Sequence, residues 1–154
     1  LPKNLFVLGV SDYPPNAAKD ARDPRIREYY EFYRKFEDDG VTILPKNKLK
    51  ANFVMALKKV FEKIKTPYVY VSVDIDIGSR QALTGARFLD YLGLEESEIY
   101  RILDGLNKYA KEKNIEIVGA DVMEIDQSKA GQKFGKNYDK TYDISLEVIN
   151  RIFR

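Results

Sequence analysis

Apolar positions along the chain fall into short continuous runs and longer helical repeats, and the two kinds alternate. Residues 5–10 (LFVLGV) form an unbroken apolar run, as expected of a strand covered on both faces. Asp12, Pro14, Pro15 and Asn16 then break it with turn chemistry. A charged, Tyr-rich segment spans 24–38, and Gly40 closes it as a residue after a helix end would. Within it Tyr29, Tyr30 and Tyr33 lie at helical spacing and are expected to pack one face. Residues 41–44 (VTIL) are a second short strand, stopped by Pro45. Between 52 and 65, Phe53, Val54, Leu57, Val60, Phe61 and Ile64 recur at helical spacing. The preceding Lys46, Lys48 and Lys50 read as a solvated basic run.

The strongest strand pattern covers 68–77 (YVYVSVDIDI). Its alternation puts Val69, Val71, Val73 and Ile75 on one face and Tyr70, Ser72, Asp74 and Asp76 on the other. A loop with Gly78, Gly85 and Gly93 leads into a helix over 95–111, with Ile99, Ile102, Leu103 and Leu106 on one side. Residues 115–118 (IEIV), extended through Gly119, Ala120 and Asp121, make a fourth strand. A polar loop through Gly131 and Gly135 precedes a last helix over 139–153. Strands alternating with helices of this length need crossovers. The expected fold is α/β: three layers, a mostly parallel sheet of about four strands with helices on both faces, in one domain spanning 1–154. No internal repeat or low-complexity tract interrupts it.

Composition narrows the chemistry. The 154 residues include no Cys and no His, so disulfides, thiolate sites, imidazole ligands and imidazole bases are excluded. Any catalysis rests on Asp, Glu, Lys, Tyr, Ser or Thr. Net charge is +2 with both signs interspersed, which argues against a nucleic-acid surface. No apolar run approaches the roughly 18–20 residues of a membrane span, and no signal-peptide pattern opens the chain, so a cytoplasmic location is expected. High Lys, Arg and Glu without Cys or Trp fits a heat-adapted source. The first residue is Leu and the apolar run begins almost at once, which suggests a further segment upstream.

Parallel sheets place ligands beyond the carboxyl ends of their strands. Asp74 and Asp76 sit at such an end, two apart, and like charges so close repel unless a cation lies between them. A hard divalent ion such as Mn²⁺ or Mg²⁺ is one neutraliser; two ordinary surface acids at an exposed strand end are the other reading. Asp121 and Glu124 follow the fourth strand, and sheet adjacency would bring them to the same rim. Alone, they read more simply as a turn cap and a solvated acid.

The order of these segments resembles a known family. Ser72-Val73-Asp74-Ile75-Asp76 is similar to the S-x-D-x-D-x-x-D-P signature of the arginase (ureohydrolase) family. Gly119-Ala120-Asp121-Val122-Met123-Glu124 is similar to its G-x-D-x-x-E segment. Thr84-Gly85 and Gly93-Leu94 resemble its T-G-T and G-G-L loop, and the strand ending in Ser11-Asp12 and the Thr141 that starts the last helix also correspond. The resemblance spans nearly the whole chain and points to the C-terminal half of a ureohydrolase. It implies that Asp74 and Asp76 are ligands of a binuclear Mn²⁺ cluster that activates a bridging water. It further implies that Glu124 faces a substrate guanidinium, with Asp121 as a supporting acid, in hydrolysis of a guanidino group to urea.

The departures are specific. Ser79 and Arg80 replace the third acid and the Pro of the signature, Ala86 replaces the loop's second Thr, and Asp126-Gln127 stand where Asn-Pro is usual. The G-G-D-H and D-A-H-x-D motifs that carry the other ligands are absent. Two aspartates cannot hold two Mn²⁺ ions in fixed geometry, so the chain alone is expected to bind metal weakly and to hydrolyse guanidino compounds slowly or not at all. The expected partners are a guanidino small molecule, and either a second copy or a complementary chain covering open sheet edges. The alternative is a non-catalytic α/β binding or scaffolding module that keeps the fold. A Mg²⁺-dependent phosphoryl-transfer domain would account for the aspartate pair but not for the segment ending in Glu124.

Overall fold

A computed structural model describes residues 2–80, 83–87 and 93–154. The chain divides into two compact units, Leu1–Lys65 and Thr66–Arg154. The parallel-strand α/β class expected from the sequence is what each unit is built on.

In the first unit β1 (Phe6–Val10) and β2 (Thr42–Pro45) pair in parallel, joined by α1 (Pro24–Asp38). Asp23 caps α1, accepting from the Arg25 amide at 2.9 Å, and Pro24 occupies the first turn where its missing N–H has no cost. The basic run at 46–50 forms a short helix, α2 (Lys46–Ala51), with Lys48 and Lys50 exposed as expected. Lys46 is buried and its ammonium donates to Ser11 Oγ at 2.8 Å. Asn52 breaks the path and caps α3 (Phe53–Phe61), which therefore starts and stops inside the repeat seen at 52–65. Leu49, Leu57, Val60, Phe61 and Ile64 form the core with Val41 and Leu44. The tyrosines do more than pack. The hydroxyl groups of Tyr29 and Tyr33 both donate to the Asp12 carboxylate, and the rings meet edge to face at 5.1 Å.

The second unit carries β3 (Tyr68–Asp74) and β4 (Glu116–Met123), again parallel, joined through α4 (Glu96–Lys113). The strand ends at Asp74, three residues short of the alternating pattern, because Ile75–Ile77 winds into a 3₁₀ turn with Ile75 wholly buried. Glu95 and Glu98 form a reciprocal capping box at the start of α4, and Asn114, at φ 53°, ends it in the left-handed region. Ile99, Leu103, Leu106 and Ala110 make its buried stripe. They face Ile144, Val148 and Ile152 of α5 (Thr141–Ile152), which begins two residues later than expected. The polar loop at 131–138 contains a tiny antiparallel hairpin, β5 (Lys133–Phe134) with β6 (Asn137–Tyr138), too short to leave a periodic trace in the sequence.

The loop between β3 and α4 folds back on itself. Leu94 N–H donates to Ile77 O at 2.8 Å and Ser79 N–H to Leu94 O at 2.9 Å. A Cβ on Gly93 would lie 2.2 Å from the Gly78 carbonyl, so only glycine allows this crossing. Residues 81–82 and 88–92 of that loop lie outside the described residues.

Candidate metal centre

The rim at the carboxyl ends of β3 and β4 is built by three consecutive local decisions. First, Asp74 closes β3 and accepts the Asp76 amide at 3.3 Å, at the start of a 3₁₀ turn that leaves the two carboxyl groups close enough to interact. Asp74 is exposed and Asp76 half-buried. Second, β4 runs in register so that Met123 lies opposite Asp74, and the next residue, Glu124, is delivered beside the pair. Third, Glu124 adopts φ 60°, a left-handed backbone that costs a side-chain-bearing residue about 1 kcal/mol or more. Strain of that kind persists only where neighbours impose it.

The electrostatics report the crowding. Burial, then the negative charge of Asp74 and a hydrogen bond to its carboxyl, then the charge of Glu124, push the Asp76 carboxyl up to about 6. Asp74 and Asp76 are therefore neighbours at the rim, with Glu124 near enough for its charge to act on Asp76. Asp121 is not part of that group. It lies two residue pairs back from the rim, where Ser72 Oγ donates to it at 2.7 Å and the Tyr70 hydroxyl at 2.8 Å. Those two bonds, Ser72 first, hold its carboxyl below the usual carboxylate range.

An open pocket of about 390 Å³ adjoins the rim, lined by Arg87, Glu124, Ile125, Asp126, Gln127 and Ser128. Asp126 is engaged by Lys129 at 2.8 Å, which with Ser128 keeps its carboxyl down at about 2. Ser79, at the position of the signature's third acid, turns inward and is buried, donating to Glu95 at 3.3 Å. Among the described residues no three Asp or Glu side chains are grouped tightly enough to hold an ion, and the chain has no His. By themselves the residues present do not complete a cation site.

One carboxylate that organises this region has no motif to announce it. Asp139, buried ahead of α5, accepts six hydrogen bonds. Its Oδ1 takes the Thr84 amide (2.6 Å), the Thr84 hydroxyl (2.8 Å), the Gly85 amide (3.0 Å) and the Thr141 hydroxyl (2.8 Å). Its Oδ2 takes the amides of Gly131 (2.8 Å) and Thr141 (2.9 Å). Burial by itself would raise this carboxyl, but N–H bonds from Gly131, Thr84 and Thr141 outweigh it and hold the group at about 2. In the sequence it is simply an acid near a helix start.

Parallel strands joined through helices, with acids at the carboxyl ends of β3 and β4, define an α/β protein. The chain belongs to the arginase family, whose sequence profile matches residues 9–149. Its fold is that of solved ureohydrolases. The arginase of Bacillus caldovelox superposes with a TM-score of 0.71 at 16% identity, covering 99% of this chain and 43% of that one. The formimidoylglutamase of Bacillus subtilis gives 0.70 at 18% identity, covering 98% and 40%. The proclavaminate amidino hydrolase of Streptomyces clavuligerus gives 0.68 at 20% identity, covering 98% and 41%. The chain thus spans about two-fifths of the length of the structures it matches. No curated protein matches it in sequence. No helix among the described residues is long and apolar enough to cross a membrane.

Proposed function

We propose that this chain is the ligand-poor side of a ureohydrolase site, a single domain corresponding to the C-terminal half of such an enzyme. In this reading Asp74 and Asp76 coordinate manganese and Glu124 receives a guanidino group. The observation that carries it is the closeness of Asp76 to Asp74 and Glu124 at the strand rim, where burial and the two neighbouring carboxylates raise the Asp76 carboxyl to about 6. A divalent cation would offset that repulsion and supply Lewis-acid activation of water. The chain's own residues contribute orientation: a planar guanidinium matches the two oxygens of the Glu124 carboxylate. Asp121 supports the rim from the strand behind it by fixing Ser72. The remaining metal ligands would come from outside this sequence, on a complementary chain or segment. Hydrolysis by residues 1–154 alone is accordingly slow or absent. A cytoplasmic location, a heat-adapted source and self-association belong to the same reading.

The absence of any grouped trio of ligands among the described residues favours a second reading. In it the chain is a non-catalytic module that keeps the fold for binding or scaffolding. Calorimetric titration of the full chain with Mn²⁺, beside Asp74→Asn and Asp76→Asn, separates the two. Saturable heat in the parent that shrinks in both variants supports the metal site, and identical heats in all three proteins overturn it. Release of urea from arginine or agmatine at ordinary enzymatic turnover would overturn the claim that the chain is incomplete as a catalyst.

A further inference from the structure

The geometry points to Asp139 as the positioning residue that imposes the left-handed backbone of Glu124, although the two side chains belong to different loops. The path is a continuous series of hydrogen bonds. Asp139 gathers the Thr84 amide and hydroxyl, the Gly85 amide and the Thr141 hydroxyl on one oxygen, and the Thr141 hydroxyl in turn accepts from Gly85 N–H at 2.9 Å. The segment Thr84–Ala86 is thus pressed against the start of α5. Nothing larger than glycine fits at 85, where a Cβ would lie 2.6 Å from both Ala130 Cα and Thr141 Oγ1.

That immobilised segment is what holds the residues after Glu124. Asp126 N–H donates to Gly85 O at 2.7 Å, and Ala86 pairs with Ile125 in an antiparallel bridge. On its other side Glu124 follows Met123, which is locked in the β3–β4 ladder opposite Asp74. Glu124 is therefore the single residue between two fixed anchors, and φ 60° is the conformation that joins them. Asp139 also fixes the far end of the 126–131 turn by accepting the Gly131 amide. A neutral side chain at 139 cannot satisfy six donors, since an amide would turn one N–H pair against them. The anchor on Ile125 and Asp126 then slackens and Glu124 relaxes to the ordinary negative-φ backbone, carrying its carboxylate away from Asp74 and Asp76. The role of Asp139 rests on the proposed role of Glu124 only in what the positioning is for.

Nuclear magnetic resonance of the labelled full chain tests this directly. A positive φ brings a residue's own amide and α protons close, so Glu124 gives a strong intraresidue cross-peak in the parent. Asp139→Asn is expected to lose that strong cross-peak while the β3–β4 signals persist. Ser145→Ala removes the bond from Ser145 Oγ to Thr141 O (2.7 Å), loosening the same helix without touching the loop, and is expected to keep it. Should Asp139→Asn fail to fold, Thr84→Val, which removes one of the six donors, is expected to weaken the cross-peak. An unchanged cross-peak in every folded variant of 139 and 84 overturns the proposal, as does equal loss in Ser145→Ala. Titration of the parent with low millimolar guanidinium chloride reads the other question: no shift at Glu124 would overturn its role toward guanidino groups while leaving the Asp139 result standing.

Discussion

The stability of the Thr66–Arg154 unit should pass through a maximum near pH 4, because two carboxylates in it are displaced in opposite directions. Asp76 lies at about 6 in the folded chain against an ordinary 3.8. The folded state binds that proton more tightly than the unfolded state, so the site is a burden at pH 7 that is relieved as pH falls from 6 to 3.8. At roughly 1.4 kcal/mol per pH unit the displacement is worth ~3 kcal/mol, reduced to on the order of 1–2 kcal/mol at a half-exposed rim. Asp139 works the other way. Its carboxyl is held at about 2 against 3.8, so its contribution is complete above pH 3.8 and is lost as pH falls toward 2. The same conversion gives about 2–3 kcal/mol for this buried group. Asp126, also held near 2 by Lys129, steepens the acid limb further. Urea unfolding followed by circular dichroism at closely spaced pH values, without metal, measures the curve. Asp76→Asn should flatten the limb between pH 4 and 7 and stabilise the chain at pH 7 by on the order of 1–2 kcal/mol. Asp139→Asn should cost about 2–3 kcal/mol at pH 7 and flatten the limb below pH 4. A parent curve that is level from pH 4 to 7, with Asp76→Asn no more stable than the parent, would refute the crowding of the rim.

Two further substitutions probe the scaffold around the rim. Gly93→Ala drives a methyl to 2.2 Å from the Gly78 carbonyl, so the loop crossing must open. A loss on the order of 3 kcal/mol or more is expected in the urea midpoint. Glu95→Ala removes one half of the capping box on α4 and should cost about 1 kcal/mol, with the Glu98→Ala and double variants showing that the two halves are not additive.

The parts of the fold that were legible beforehand are those whose signal is local. β3 announces itself because seven consecutive residues alternate, and α4 because Ile99, Ile102, Leu103 and Leu106 fall on one side of it. Asp74 and Asp76 were legible for the same reason: two residues apart, they needed no tertiary knowledge to be seen as a pair. What escaped depends on residues far apart in sequence. The end of β3 at Asp74 is set by the complete burial of Ile75, which pulls the chain into a turn where alternation alone would extend it. Lys46 is buried because Ser11, thirty-five residues earlier, offers it an acceptor. Asp139 matters because Thr84, fifty-five residues away, converges on it. Asp121 shows the limit from the other side. Register places it opposite Ser72 and beside Tyr70, and those hydroxyl groups engage it before the rim can.

The left-handed backbone at Glu124 also sets how that position can drift. Glycine is at home there and asparagine or aspartate tolerable, whereas Val or Ile would be severely strained. Loss of the carboxylate by Glu124→Gly would ease the fold rather than harm it, so folding stability alone exerts no pull to keep an acid at this residue. On the role proposed for Glu124, selection for stability and selection for binding a guanidinium point in opposite directions at one codon. A lineage that had given up the site would slide toward glycine there, and such a change in close relatives would mark them as scaffolds.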